Sequence, residues 1–168
     1  GCFKYLSSFI DSSNLNKIMF WEIHAENSKE STFKLFSKNI YEKKVLIIDC
    51  DLRKPSLHKK FKVSNLVGLS DVMIGKADLV TATHRYNKNL ALLTSGKIPP
   101  NPSEMLSSKA MVNLLEMLKE SFDYIILDTP PVQAVTDSQI LSAKADGTIL
   151  VVRSERTKKD SVENSINL

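Results

Sequence analysis

Cysteine is almost absent from this chain: two in 168 residues, Cys2 and Cys50. Two cysteines so placed give no disulfide framework, no metal-ligand spacing and no set for an iron–sulfur cluster. Such usage suits a reducing cytosol. Long apolar runs are missing too, so neither a signal-peptide core nor a membrane span is expected. Basic residues form no clustered patch, and aromatics, 7% of the chain, form no stacking series. No nucleic-acid partner is therefore expected. Repeats, low-complexity tracts and linkers are absent as well.

What is present is an ordinary globular composition, 42% hydrophobic and 25% charged, of a length that suits one domain with a real core. The net charge is +4, and it is uneven: residues 1–62 carry 12 Lys/Arg against 7 Asp/Glu, residues 63–168 carry 11 against 12. An N-terminal positive excess favours anionic partners such as nucleotide phosphates or an acidic membrane face. A solvated lysine-rich surface is the simpler account.

Periodicity places strands at Ile18–Ile23, Val45–Asp49, Leu90–Leu93, Tyr124–Asp128 and Thr148–Val152. Helical spacing falls on Cys2–Ile10 (Phe3, Leu6, Ile10) and on Ser31 to about Glu42 (Phe33, Phe36, Ile40). It recurs in Gly68–Met73, stopped at Gly75, and in a long helix from Ser103 through Met111, Leu114, Leu115 and Leu118. Pro55 with Lys59-Lys60 marks a loop or short helix, a further helix runs over Asp137–Ala143, and one begins after Val152. The proline-rich stretch Thr94 to Pro102 is a loop. Strands that alternate with helices, three of them (Val45–Asp49, Tyr124–Asp128 and Thr148–Val152) apolar throughout and so expected to be buried, argue for an α/β fold: a mostly parallel sheet with helices on both faces.

The most informative stretch is Val45-Leu46-Ile47-Ile48-Asp49-Cys50-Asp51-Leu52-Arg53-Lys54-Pro55. A buried strand here ends in two carboxylates and an arginine, at the sheet edge where open α/β folds bind ligands. Tyr124–Asp128 is a second apolar strand that ends in an acid. If the two strands are neighbours, Asp49, Asp51 and Asp128 share one edge, and hard oxygen ligands there suit Mg²⁺ with bound phosphates. A single strand-end acid is usually a helix cap or solvated; three together argue for chemistry. Cys50 between them reads as a small buried thiol.

Asp49-Cys50-Asp51-Leu52-Arg53-Lys54-Pro55 resembles the Walker A′ motif, and Ile125-Ile126-Leu127-Asp128-Thr129-Pro130-Pro131 resembles Walker B, both in the form found in bacterial protein-tyrosine kinases. The loop Thr94-Ser95-Gly96 through Pro99-Pro100-Asn101-Pro102-Ser103-Glu104, and Val135-Thr136-Asp137, are similar to that family's signatures, and the likeness covers roughly residues 45–155. The resemblance implies a P-loop NTPase-like fold of the deviant-Walker (MinD/ParA-like) class. It implies an ATP- and Mg²⁺-dependent, autophosphorylating tyrosine kinase regulating capsular or exopolysaccharide synthesis and export. Asp49, Asp51 and Asp128 would be catalytic, with Asp51 as the base. Mg²⁺ would be held by Ser31, Asp49 and Asp128, and the nucleotide by Lys29, Ser31, Thr32 and Arg53. Implied partners are a membrane-spanning activator (a polysaccharide co-polymerase on a separate chain) and a homo-oligomeric ring. Location would be cytoplasmic, at the inner face of the membrane through that partner. The chain is expected to be one ATPase-like kinase domain, residues 1–168, lacking its C-terminal end and tyrosine tail.

The chain departs from the family before Val45. A glycine-rich loop ending Gly-Lys-Ser/Thr normally wraps the phosphates. Here Ala25-Glu26-Asn27-Ser28-Lys29-Glu30-Ser31-Thr32 holds no glycine, and Glu30 stands where the lysine belongs. A carboxylate there repels a triphosphate. Of the basic ring-assembly motif, near Gly1, Lys4 and Ser7, only Lys4 keeps the charge. Tyr5, Tyr41, Tyr86 and Tyr124 form no cluster. Two readings stay open: a degenerate relative that no longer binds ATP, or a sequence imperfectly recorded over residues 1–44. The competing functions are thus a catalytically impaired regulatory module on the same fold, and a MinD/ParA-like ATPase.

Overall fold

The computed structural model describes residues 43–152 and 157–168, together with the backbone of 18–22. The helices expected over Cys2–Ile10 and Ser31–Glu42 lie outside the described residues. The described strands are β1 (Ile18–Glu22), β2 (Val45–Asp49), β3 (Thr83–Arg85), β4 (Leu90–Leu93), β5 (Tyr124–Thr129) and β6 (Gly147–Leu150). The described helices are α1 (Leu57–Phe61), α2 (Leu69–Met73), α3 (Leu79–Ala82), α4 (Pro102–Ser107), α5 (Lys109–Lys119), α6 (Asp137–Ser142) and α7 (Lys159–Ile166).

The strands form one sheet in the order β3-β4-β2-β5-β1-β6. All described pairings are parallel except β3–β4. The antiparallel β3 has no counterpart in the sequence reading. Its hairpin lacks the Asn-Gly or Asp-Gly dipeptide that announces a tight turn. Instead the Asn87 side chain closes it, with Oδ1 accepting from the N–H groups of Asn89 and Leu90, both at 2.8 Å.

β2 and β5 are buried on both faces: successive strand side chains alternate, and each set meets an apolar layer. From β2, Leu46 and Ile48 join a core with Ile125, Leu127, Leu93 and the inner residues of α5. Val45 and Ile47 point the other way, against Leu57, Phe61, Leu90, Leu92 and Ile126. Each such side chain removed from water contributes about 1.5–3 kcal/mol. Phe61 in turn meets Tyr86 edge-on, with ring centroids 5.1 Å apart.

Two expectations need correction. The long helix from Ser103 is two helices, since Ser108 is extended (φ −63°, ψ 159°) and caps α5, with Oγ accepting from Met111 N at 3.3 Å. The apolar periodicity continues across the break, so it conceals it. The last strand is not buried: β6 closes the described sheet beside β1, and its residues are half-buried or exposed. An apolar run alone does not distinguish an edge strand from a central one.

Candidate active site

The site grows from the register of two strands. β2 and β5 are parallel neighbours, and their pairing ends with Asp49 opposite Asp128. Neighbouring strands lie about 4.8 Å apart, so both carboxylates emerge together at the carboxyl edge of the sheet. Both residues are fully buried. The next pairing links the chains further: Cys50 N–H donates to Asp128 O at 2.8 Å. β1 reaches the same edge, with Trp21 opposite Asp128 and Glu22 opposite Thr129. The chain therefore enters the segment that carries Lys29, Ser31 and Thr32 from this edge. Those three residues lie outside the described residues.

Asp49 is held by the start of α1: its Oδ2 accepts from Ser56 N at 3.2 Å and Leu57 N at 3.0 Å. Backbone donors of this kind fix the position of a carboxylate. Asp51 is 9% exposed. Its Oδ1 accepts from Lys54 N at 2.9 Å, which closes a tight turn and fixes the carboxyl plane.

Cys50 lies wholly buried among these acids as a free thiol. Burial first, then the charges of Asp49, Asp128 and Asp51, push the thiol well above its ordinary range. Among the described residues, no group of three His, Cys, Asp or Glu side chains is arranged to hold a metal alone. The metal set expected from the sequence has two described members, Asp49 and Asp128, in adjacent register. A pair of buried hard oxygen donors fits Mg²⁺, which takes one or two carboxylates and completes its shell with phosphate and water.

Arg53 is engaged by protein. Its Nε donates to Asp137 Oδ2 at 2.8 Å, and Ser103 Oγ stands 2.9 Å from its Nη2. Asp137 is desolvated, which raises its pKa, but the hydrogen bonds from Arg53 and Ser103 and the charge of Arg53 outweigh this and hold it below the usual carboxylate range. Ser103 and Asp137 lie within the family-like segments, but no local pattern in the sequence assigns either a role. The signal available was a charged residue, Asp137, that opens a helix six residues after the double proline.

The rim beside β4 is zipped to the loop before α2. Asn65 Oδ1 accepts from Gly96 N at 3.0 Å, and Leu69 N donates to Thr94 O at 2.7 Å. Gly96 is left-handed (φ +74°), and a Cβ on Gly68 would lie 2.2 Å from Gly96 N. Only glycine permits so close an approach.

A family model described as an AAA domain matches residues 33–167. Tyrosine-protein kinase YwqD of Bacillus subtilis is 50% identical over 119 residues, which cover 70% of this chain and 50% of that protein. The kinase domain of VpsO superposes with a TM-score of 0.87 at 30% identity, covering 97% of this chain and 83% of that one. A plasmid partition protein from Borrelia burgdorferi shares the fold alone, with a TM-score of 0.66 at 22% identity over 90% of this chain and 75% of that one. The fold is that of a P-loop NTPase-like domain. The chain belongs to the AAA domain family and, within it, to the P-loop domains of the bacterial tyrosine kinases. It spans about half the length, or less, of the curated relatives it matches.

Proposed function

We propose that the chain is the phosphotransfer domain of a protein-tyrosine kinase that autophosphorylates and regulates capsular or exopolysaccharide synthesis and export. The observation that carries this reading is the buried Asp49–Asp128 pair in adjacent register, with Asp51 in the turn just beyond it, in a chain of this family. Asp51 Oδ1 is fixed by Lys54 N. Its Oδ2 takes the proton of an incoming tyrosine hydroxyl as that oxygen bonds the γ-phosphorus of ATP and the bond to the β-phosphate oxygen breaks, releasing ADP. Asp49 and Asp128, with Ser31, are the residues to hold Mg²⁺, which supplies charge neutralisation on the phosphates. Lys29, Ser31 and Thr32 are assigned to the phosphates from sequence alone. The activator is proposed to be a membrane-spanning polysaccharide co-polymerase on a separate chain, with assembly into a ring. The domain then works at the inner face of the membrane through that partner. Among the described residues no helix is long and apolar enough to cross a membrane.

The test is transfer of label from γ-labelled ATP to tyrosine, with an activator fragment and a tyrosine-bearing tail supplied. Asp51→Asn is expected to lower the rate about 10²–10⁴-fold, as loss of a general base does, and Asp49→Ala to abolish it.

A second reading is favoured by Glu30 in the phosphate-binding lysine's place: a regulatory module on the same fold that does not bind nucleotide. Calorimetry separates the two. Micromolar binding of Mg-ATP is expected for a working site, and no heat of binding for a dead one.

A further inference from the structure

Arg53 follows Asp51 by two residues in the same turn. Its guanidinium grips both oxygens of Asp137, Nε to Oδ2 at 2.8 Å and Nη2 to Oδ1 at 3.2 Å. Nη2 also donates to Ser103 Oγ at 2.9 Å, and that hydroxyl donates to Asp137 Oδ1 at 2.6 Å. The three side chains form a closed polar triangle. They come from three separate connections: the β2–α1 turn, the exit of the proline-rich loop into α4, and the first residue of α6. Ser138 Oγ, next in α6, donates to Pro130 O and ties the same helix to the end of Walker B. Asp137 is fully buried, while the Arg53 side chain is 40% exposed. A two-toothed fork onto a carboxylate fixes orientation as well as distance. A buried carboxylate without its cation is strongly unfavourable, so Asp137 holds Arg53 in one place.

We propose that Arg53, Asp137 and Ser103 form a positioning clamp for Asp51. The clamp anchors the far side of the turn whose near side is the Lys54 N–H to Asp51 Oδ1 bond. It thereby aims the remaining oxygen of Asp51 at the acceptor hydroxyl. None of the three is a catalytic residue; each acts through Asp51. The catalytic half of the inference rests on the phosphotransfer reading, and the mechanical half does not.

The experiment pairs steady-state transfer from γ-labelled ATP to a tyrosine peptide with amide exchange at Lys54, read by NMR, in wild type, Arg53→Lys, Asp137→Asn and Ser103→Ala. Arg53→Lys keeps the charge but loses the fork. Small misplacements of a reacting group cost up to about 10²-fold. Arg53→Lys and Asp137→Asn are therefore expected to lower kcat about 10–100-fold, with KM for ATP within about twofold. A variant that combines Arg53→Lys with Asp137→Asn is expected to lose little more than either alone, as members of one network do. Lys54 exchange quickens about tenfold in both variants as the turn loosens. Where Asp137→Asn loses the fold, Arg53→Lys carries the test, because it leaves a cation beside Asp137.

A raised KM for ATP with unchanged kcat in Arg53→Lys, and no effect in Asp137→Asn, would make Arg53 a direct phosphate ligand and overturn the clamp. Unchanged kinetics with unchanged Lys54 exchange overturns it as well. If wild type transfers no phosphate to tyrosine, the phosphotransfer reading fails separately. Lys54 exchange then decides the clamp: faster in Arg53→Lys sustains it, unchanged refutes it.

Discussion

At the scale of single residues, the site is a problem of placing charge where water does not reach. Asp49 answers it with two backbone donors from α1, and Asp51 with one from Lys54. Cys50 reports on the result. Its thiol is neutral at physiological pH because burial and three neighbouring acids oppose ionisation. Thiolate is the reactive form, so Cys50 is expected to resist iodoacetamide in the folded protein at about pH 8. Mass spectrometry should find it alkylated only on unfolding. The linkage has a definite sign. The unfolded thiol ionises near about pH 8.5 and the folded one higher, so its contribution to stability is complete below the unfolded value. It is lost as pH rises from there through the folded value. Denaturant titrations of wild type and Cys50→Ala should diverge in that alkaline window, with wild type falling more steeply. A slope common to both would contradict the burial described. The sequence carried much of this: an acid–thiol–acid run after a buried strand reads as a strand end. It carried nothing of Arg53's grip on Asp137, because the partners stand 84 residues apart and no local pattern joins them.

At the scale of elements, each reading that failed did so where a pattern was shared by two structures. Met111, Leu114, Leu115 and Leu118 gave the helical stripe correctly, but the stripe says nothing about where its helix starts. The break lies at Ser108, whose hydroxyl caps α5. Ser108→Ala is expected to cost about 1 kcal/mol, as loss of an N-cap does. Thermal or urea unfolding measures it, and an unchanged midpoint would mean that α4 and α5 are continuous in solution. Thr148–Val152 reads as a buried strand by composition, yet β6 closes the described sheet half-exposed. Burial belongs to the neighbour, which the sequence of one strand does not contain. β2 and β5 were legible because both their faces are covered, and Val45 to Ile48 accordingly show no polar position.

At the scale of the whole molecule, topology does the work. The order β4-β2-β5-β1 sets Walker A′ beside Walker B and brings the end of β1 to the same edge. Three segments distant in sequence thereby meet at one set of strand ends. Fold class and the two aspartate-bearing strands were readable from alternation and strand ends. The adjacency of β2 and β5 was only a condition until the register supplied it. The segment that departs from the family, Ala25 to Thr32, follows β1 in sequence, and the central claim turns on whether the site handles ATP. The most direct measurement is label transfer from γ-labelled ATP to tyrosine, with the activator fragment and a tyrosine-bearing tail present, in wild type and Asp51→Asn. The account expects labelled phosphotyrosine from wild type and a loss of about 10²-fold or more in the variant. No phosphotyrosine from wild type, or equal labelling of both proteins, would contradict it.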